Sequence, residues 1–371
     1  MPYLSVKCAG GILMRVTAAV LDRPGEPFVL RDVELGPPRP DEVLVRLSAV
    51  GVCATDLEFA TFSAAPAVFG HEGAGTVERA GDQVTGIAPG DHVALSFASC
   101  GRCRPCLTGS PGYCTRFDAL NFSGRRPDGT SAVSMDGTEI NAHFLGQSSF
   151  ADHVIAPARA VVPIGKDADL TLAGPFGCGF QTGAGGVLNV LRPSPGSSIA
   201  VFGAGAVGVA SVLAAVLSGC TTIAVVDLNT ERLATARSLG ATHGVTGGGG
   251  AADELRSIAP DGFDFAVDTT GRADVLRTAV EALGPLGTCG VIGVGPSEEM
   301  TFDWRSVLNG RTITGIIGGA VPQVFVPELL ALHAAGRFPV DRIVAHFPFE
   351  RIGEAVDAAR HGTAGKAVLT F

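Results

Sequence analysis

One stretch limits what this chain can fold into more than any other: Ser198-Ile-Ala-Val-Phe-Gly-Ala-Gly-Ala-Val-Gly208, an apolar run to Cys220, then Thr221-Thr-Ile-Ala-Val-Val-Asp227. It reads as strand, tight glycine turn, helix and second strand ending in an acid. Gly203 allows the sharp turn, Gly205 lets backbone approach a pyrophosphate, and Gly208 lets the helix pack closely on the strand. The first N–H groups of the helix then face the phosphates. A lone G-x-G-x-x-G is also met as a structural turn; the flanking strand and helix, and an acid nineteen residues past Gly208, favour a dinucleotide site. Asp227 can take both ribose hydroxyls of NAD. It would repel the 2′-phosphate of NADP, and no Arg follows it directly, so the chemistry favours NAD.

Downstream, strand-like segments at 263–269, 288–294 and 312–318 alternate with helical ones at 231–239 and 273–283, which predicts a parallel doubly wound sheet. Thr246-Gly-Gly-Gly-Gly250 reads as a surface loop. The tail predicts a helical stretch after Pro322, a strand near 342–347, another helix, and Lys366-Ala-Val-Leu-Thr-Phe371.

Upstream, short strands punctuated by Gly and Pro run from 16–21 through 28–33, 42–47, 75–79 and 92–96 to 153–156, the spacing of an antiparallel, barrel-like domain. Residues 1–13 read as a peripheral extension without a signal-peptide pattern. Within this half, Cys100, Cys103, Cys106 and Cys114 stand at gaps of two, two and seven residues, which can close a tetrahedral thiolate site for zinc locally. The ferredoxin run ends with a three-residue gap and Cys-Pro, absent here; disulfides or free thiols are the alternatives. Cys53, His71 and Cys178 are further zinc-type ligands, but none is diagnostic alone, and only a fold could unite them. The connection 115–150 has little periodicity, and such loops are functional or flexible.

With 371 residues, 46% hydrophobic and 17% charged, the chain can bury two cores. A net charge of -9 argues against a nucleic-acid surface, and the most apolar run, 206–217, is too short to span a bilayer. Nine cysteines without an export signal suit a cytoplasmic protein with metal ligands or free thiols.

Gly70-His-Glu-Gly-Ala-Gly75, the four-cysteine lobe, Gly177-Cys-Gly-Phe-Gln-Thr182 and the dinucleotide turn occur in one order. This order resembles the zinc-dependent medium-chain alcohol dehydrogenase family over nearly the whole chain from about residue 14. The segments 121–129 and 143–150 resemble its aryl or benzyl alcohol branch. The resemblance implies an α/β protein. A GroES-like β-barrel catalytic domain, 1–179, is completed by 322–371, and a Rossmann doubly wound parallel sheet, 180–321, binds NAD. It implies two zinc ions per chain, one catalytic on Cys53, His71 and Cys178, one structural on Cys100, Cys103, Cys106 and Cys114. Asp56 and Glu72 match residues near the catalytic ion, Asp56 as the group that steadies a ligand. Thr55 matches the hydroxyl that takes the alcohol proton. Thr182, Val207 and Val294 match contacts to nicotinamide, Arg232 one near the ribose and Lys366 one near the pyrophosphate. Leu57, Ser96, Phe144 and Leu145 match substrate-pocket positions, a small Ser96 leaving room for a ring; each could equally be core or loop.

Two departures stand out. Ala54 replaces a His or Arg that meets the pyrophosphate, and Glu58 replaces a His that ends the proton relay, so Glu58 is the terminal base or the relay exits to water. The expected reaction is the NAD-linked interconversion of a primary, aromatic or bulky apolar alcohol and its aldehyde. A thiol-adduct formaldehyde dehydrogenase, with Arg125 and Arg126 meeting an anionic adduct, and a non-catalytic NAD-binding protein are the alternatives. Strand pairing near 300–318 is expected to join two chains as a homodimer, a tetramer being the alternative.

Overall fold

The structure, a computed structural model, describes residues 6–8, 11–295 and 300–371. Residues 1–5, 9 and 10 of the expected extension lie outside the described residues. Val6–Cys8 pairs antiparallel with Gly11–Leu13, so the first long strand, Gly11–Leu21, starts five residues before the predicted 16–21 and inside the expected extension.

The chain divides into two compact units. One takes the residues up to Cys178 with Val321–Leu330 and Val344–Phe371; the other takes Gly179–Ala320 and Ala331–Ile343. The first unit is built on two sheets. Gly11–Leu21 pairs antiparallel with Phe28–Leu35, which pairs in turn with Val133–Met135. Glu42–Gly51 is the hub of the second sheet, pairing antiparallel with Gly73–Ala80, His153–Pro157 and the C-terminal strand Lys366–Thr370. The last strand therefore rejoins the first unit through ladder hydrogen bonds, with Val344–Pro348 parallel beside it, whereas Ala331–Ile343, inside the 322–371 expected to complete this unit, groups with the second. A core of Val, Leu and Phe side chains, among them Leu21, Leu44, Leu95, Phe69 and Phe150, fills this unit. At about 25 cal/mol per Å² of buried apolar surface, such side chains dominate its stability.

The second unit is a six-stranded sheet in the order His243–Thr246, Thr222–Asp227, Ser198–Phe202, Phe263–Asp268, Leu283–Val291, Thr312–Gly315, every pair parallel. The order reverses beside Ser198–Phe202, where the glycine turn lies, and such a switch point is where doubly wound sheets bind ligands. Its strands read as apolar runs because both faces are covered. The helix Ala206–Leu217 is buried along most of its length, which its nearly all-apolar sequence requires. Asn229 caps the next helix, Thr230–Ser238, by accepting from the N–H groups of Glu231 and Arg232. His243–Thr246 and the helix Ala251–Ile258 flank the glycine run, whose composition hid them from periodicity.

Candidate active site

The first centre grows from the short helix Ala54–Phe59, whose N-cap is Cys53. Asp56, fully buried, accepts hydrogen bonds from the Cys53 N–H (3.1 Å) and the Gly70 N–H (3.0 Å). Its Oδ1 also meets His71 Nδ1 at 2.7 Å. One carboxylate thus ties the segment carrying Cys53 to the one carrying His71, and it fixes the imidazole with Nε2 outward, as orienting partners of metal-ligating histidines do. Gly70 is required at φ +89, because a Cβ there would lie 2.5 Å from Phe150. Cys178 enters at the end of the turn Gly174–Gly177, placing its Sγ 3.2 Å from His71 Nε2.

Ligand atoms of Cys53, His71, Glu72 and Cys178 all lie within 4.8 Å of one another. Zinc with Zn–N and Zn–S bonds of about 2.1 and 2.3 Å spaces a tetrahedral N···S pair about 3.6 Å apart. The buried thiol–imidazole–thiol set therefore fits that ion after a small adjustment. Its protonation fits too. A hydrogen bond from the Cys178 thiol, together with His71 and Lys366, holds Cys53 well below the usual thiol range. The same bond and burial push Cys178 up. Burial opposes a charge on His71, but Asp56 and Cys53 outweigh it and raise the imidazole. Cys53 thus favours the thiolate, and the protons held on Cys178 and His71 are ones that a bound cation would displace.

Around this set, Thr55 Oγ1 lies 3.8 Å from Cys53 Sγ. Glu58 is half-buried, three residues on in the same helix, while Ala54 faces solvent. Burial raises Glu72, and Lys366 opposes that shift. Lys366 differs from the sequence expectation of a pyrophosphate contact. Its ammonium is buried, 2.5 Å from Glu72 Oε2 in a charge contact outside hydrogen-bond geometry, and it donates to the Val52 carbonyl at 3.0 Å.

The expected pocket residues divide. Phe144 sets its ring edge against His71, centroids 5.7 Å apart, and packs on Phe59 and Phe122, which stack at 4.6 Å. Phe59, Phe69, Phe122 and Phe144 also line a cavity of about 250 Å³. Leu145 is buried at φ +49, a conformation that costs a non-glycine residue about 1 kcal/mol or more. Leu57 packs into the core. Ser96 is 0% exposed, and its hydroxyl donates to the Gly177 carbonyl at 2.6 Å, so it is a backbone anchor where the sequence suggests space for a ring. Phe59 and Phe122 were missed; only their aromatic type hinted at a pocket wall.

Arg125 and Arg126 are both engaged. Arg126 makes a buried two-point pair with Glu42, and Arg125 bonds Glu139 and Asn141. Neither side chain is free for the anionic adduct of the formaldehyde reading.

The second cluster, Cys100, Cys103, Cys106 and Cys114, has all four sulfurs within 4.8 Å, with Cys103 3.4 Å from Cys106 and 3.9 Å from Cys114. A tetrahedral Zn–S₄ site spaces its sulfurs about 3.8 Å apart. Backbone N–H groups of Cys100 and Arg116 donate to Cys114 Sγ, and that of Cys103 donates to Cys100 Sγ, as thiolates require. Backbone donors at Cys106 and Thr115 pull Cys103 down to about 6, and burial pushes Cys106 up to about 11.

In the second unit the glycine turn behaves as its spacing requires. Gly203 sits at φ +97, a Cβ on Gly208 would lie 1.8 Å from the Gly203 carbonyl oxygen, and the space over Gly205 is open. Gly208 thus serves closure of the turn itself. Asp227 Oδ2 accepts from the Ala204 N–H at 2.7 Å and Oδ1 from the Asn229 N–H, locking the acid beside the turn. Arg232 Nη1 is 4.0 Å from Asp227, and its buried Nε has no hydrogen-bond partner, an orphan donor next to a ribose-type acid. Thr182 and Val207 lie on packed neighbouring helices, where a Cβ on Gly183 would meet the Val207 carbonyl oxygen at 2.2 Å. Val294 is 59% exposed. An open glycine cradle with an anchored acid fits a dinucleotide.

With this geometry established, comparison with known proteins gives the class. Residues 39–166 match the alcohol dehydrogenase GroES-like domain and residues 206–334 the zinc-binding dehydrogenase domain. Geraniol dehydrogenase of Castellaniella defragrans is 40% identical over 364 residues, covering 95% of this chain and 97% of the relative. An alcohol dehydrogenase zinc-binding domain protein from Burkholderia ambifaria superposes with TM-score 0.94 at 44% identity, covering 97% of this chain and 99% of the other. Benzyl alcohol dehydrogenase from Acinetobacter calcoaceticus superposes with TM-score 0.93 at 38% identity, covering 96% and 99%. The chain belongs to the zinc-dependent medium-chain alcohol dehydrogenases and is an enzyme of that family. Among the described residues no helix is long and apolar enough to cross a membrane.

Proposed function

We propose that the enzyme interconverts a primary alcohol carrying an aromatic or bulky apolar group with its aldehyde, using NAD. The observation that carries this reading is the Cys53, His71, Cys178 cluster with Asp56 orienting the imidazole; with the nearby Glu72 paired to Lys366, these three ligands would leave one tetrahedral position open. In this reading the three side chains hold the catalytic zinc, and the four cysteines of the lobe hold a second, structural one. Bound zinc supplies a Lewis acid that polarises the alcohol oxygen, and bound NAD supplies the hydride acceptor.

The rest of the work falls to the chain's own groups. Asp56 keeps Nε2 of His71 available by accepting at Nδ1. Thr55 takes the alcohol proton at Oγ1, and Glu58, one helical turn on, or water receives it. Phe144, backed by Phe59 and Phe122, gives the substrate an apolar wall beside His71. Names of the relatives support the same substrate class, benzyl alcohol for one and geraniol for another. Asp227 selects NAD over NADP by charge, and Lys366 holds Glu72.

Among the described residues Thr312–Gly315 is the last strand of the sheet, with Leu286, Trp304, Val307 and Leu308 exposed nearby in the chain or the sheet. We infer a homodimer through that edge, since edge strands with exposed apolar neighbours are surfaces on which a second copy can dock.

The test is NADH formation by zinc-replete enzyme from benzyl alcohol, geraniol and ethanol, each with NAD and with NADP. Turnover of the first two with NAD, at a kcat/KM at least about tenfold above ethanol, is the expected result. Equal use of NADP, or preference for ethanol, overturns the cofactor or the substrate assignment respectively.

A further inference from the structure

The buried amide of Gln147 links the backbone at His71 to the backbone ahead of Cys178. Its Nε2 donates to the His71 carbonyl at 3.0 Å and to the Ser96 carbonyl at 3.2 Å. Its Oε1 accepts from the Gly73 N–H at 3.2 Å and from the Ser149 hydroxyl. All four hydrogen-bond positions of the amide are therefore used, which is what burial of such a group demands. Ser96 extends the chain by donating its hydroxyl to the carbonyl of Gly177, the residue before Cys178. Gln147, Ser96 and Ser149 are all buried.

The backbone leaves no slack around this network. A Cβ on Gly73 would lie 2.6 Å from Ser149 Oγ, and one on Gly177 would lie 1.8 Å from the Leu95 carbonyl oxygen. The strand that follows His71 thus packs on Ser149 and the Leu95 side chain, the turn before Cys178 packs on the Leu95 carbonyl, and Gln147 and Ser96 supply the hydrogen bonds beside these contacts. Asp56 plays the corresponding part between His71 and Cys53 through their side chain and backbone.

We propose that Gln147 and Ser96 are positioning residues of the metal centre, setting the separation of His71 Nε2 and Cys178 Sγ without touching ion or substrate. The inference rests on the reading that Cys53, His71 and Cys178 hold the catalytic ion. Removing partners of this kind lowers metal affinity about 10- to 100-fold.

The experiment uses Ser96→Ala, which removes only the hydroxyl, and Gln147→Met, which keeps the volume and removes every hydrogen bond. Full-length protein is loaded with cobalt to record the ligand-field bands of the Cys–His–Cys site, and with zinc to follow release to a chelating dye. Both variants are expected to shift those bands and to release the catalytic zinc about tenfold faster or more, with release from the four-cysteine lobe unchanged. A lowered unfolding temperature with bands and release rate as in the parent chain overturns the proposal, leaving the network a matter of stability alone. Should Gln147→Met fail to fold, Ser96→Ala decides by the same criteria. A parent chain that takes up a single ion, lost on Cys103→Ser, sinks the underlying reading of the catalytic centre and this inference with it.

Discussion

The two cysteine-rich clusters of the first unit are held in opposite ways. In the lobe, four cysteines fall between residues 100 and 114, and backbone N–H groups of the same segment serve the sulfurs. At the other cluster the proposed ligands run from residue 53 to residue 178, and the buried side chains of Asp56, on the helix that Cys53 caps, and of Gln147 and Ser96 bond to the segments that carry them. A local set can be assembled by its own loop. A dispersed set exists only once the barrel has formed, and its precision depends on residues that are not ligands. The first suits an ion that ties down a loop; the second suits an ion with an open position whose geometry must be held from outside.

The contrast can be broken at either end. Cys178→Ser should lower kcat/KM for alcohol oxidation by about 10³-fold or more, since the Lewis acid is worth several kcal/mol in the transition state. Its thermal unfolding midpoint should barely move; a collapse in stability with activity retained per folded molecule would mean that the sites have been exchanged. Cys103→Ser should do the reverse. Loss of a structural metal is among the few single changes costing more than about 4 kcal/mol, so the midpoint should fall by about 10 °C, with kcat per folded molecule nearly kept. Asp56→Asn sharpens the comparison: catalytic zinc affinity should drop about 10- to 100-fold by competition with a chelator, while the lobe ion stays. Equal weakening at both sites would show that Asp56 acts on the fold at large. The smallest effect is expected for Glu58→Gln, a loss of less than about tenfold in kcat with a changed pH profile of alcohol oxidation, because water can replace a half-buried base. An unaltered profile would remove Glu58 from the relay.

The same contrast explains what could be read from sequence. The lobe spoke through spacing alone. The dinucleotide turn spoke through three glycines and an acid, and its parallel sheet through apolar runs alternating with helices. The union of Cys53, His71 and Cys178 followed only from resemblance, because no local pattern encodes a contact across more than a hundred residues. Least legible were residues that act through backbone carbonyls. Nothing around Ser96 or Gln147 announces that their partners are Gly177 and His71, and Ser96 therefore looked like pocket space. The resemblance places Lys366 near the pyrophosphate, and no sequence pattern shows its pairing with Glu72, which the fold brings together through the ladder between Lys366–Thr370 and Glu42–Gly51. Arg125 and Arg126 sit in an irregular loop whose partners, Glu139 and Glu42, no periodicity could name.

The central claim is that two unlike zinc sites share one unit and that only the dispersed one performs the chemistry. The direct measurement is zinc content per chain followed during controlled chelation, with benzyl alcohol oxidation and unfolding temperature recorded on the same samples. The account predicts two ions at the start, with the loss of the first abolishing turnover while the unfolding temperature holds. Turnover that survives loss of the first ion and vanishes only when the chain unfolds would contradict it.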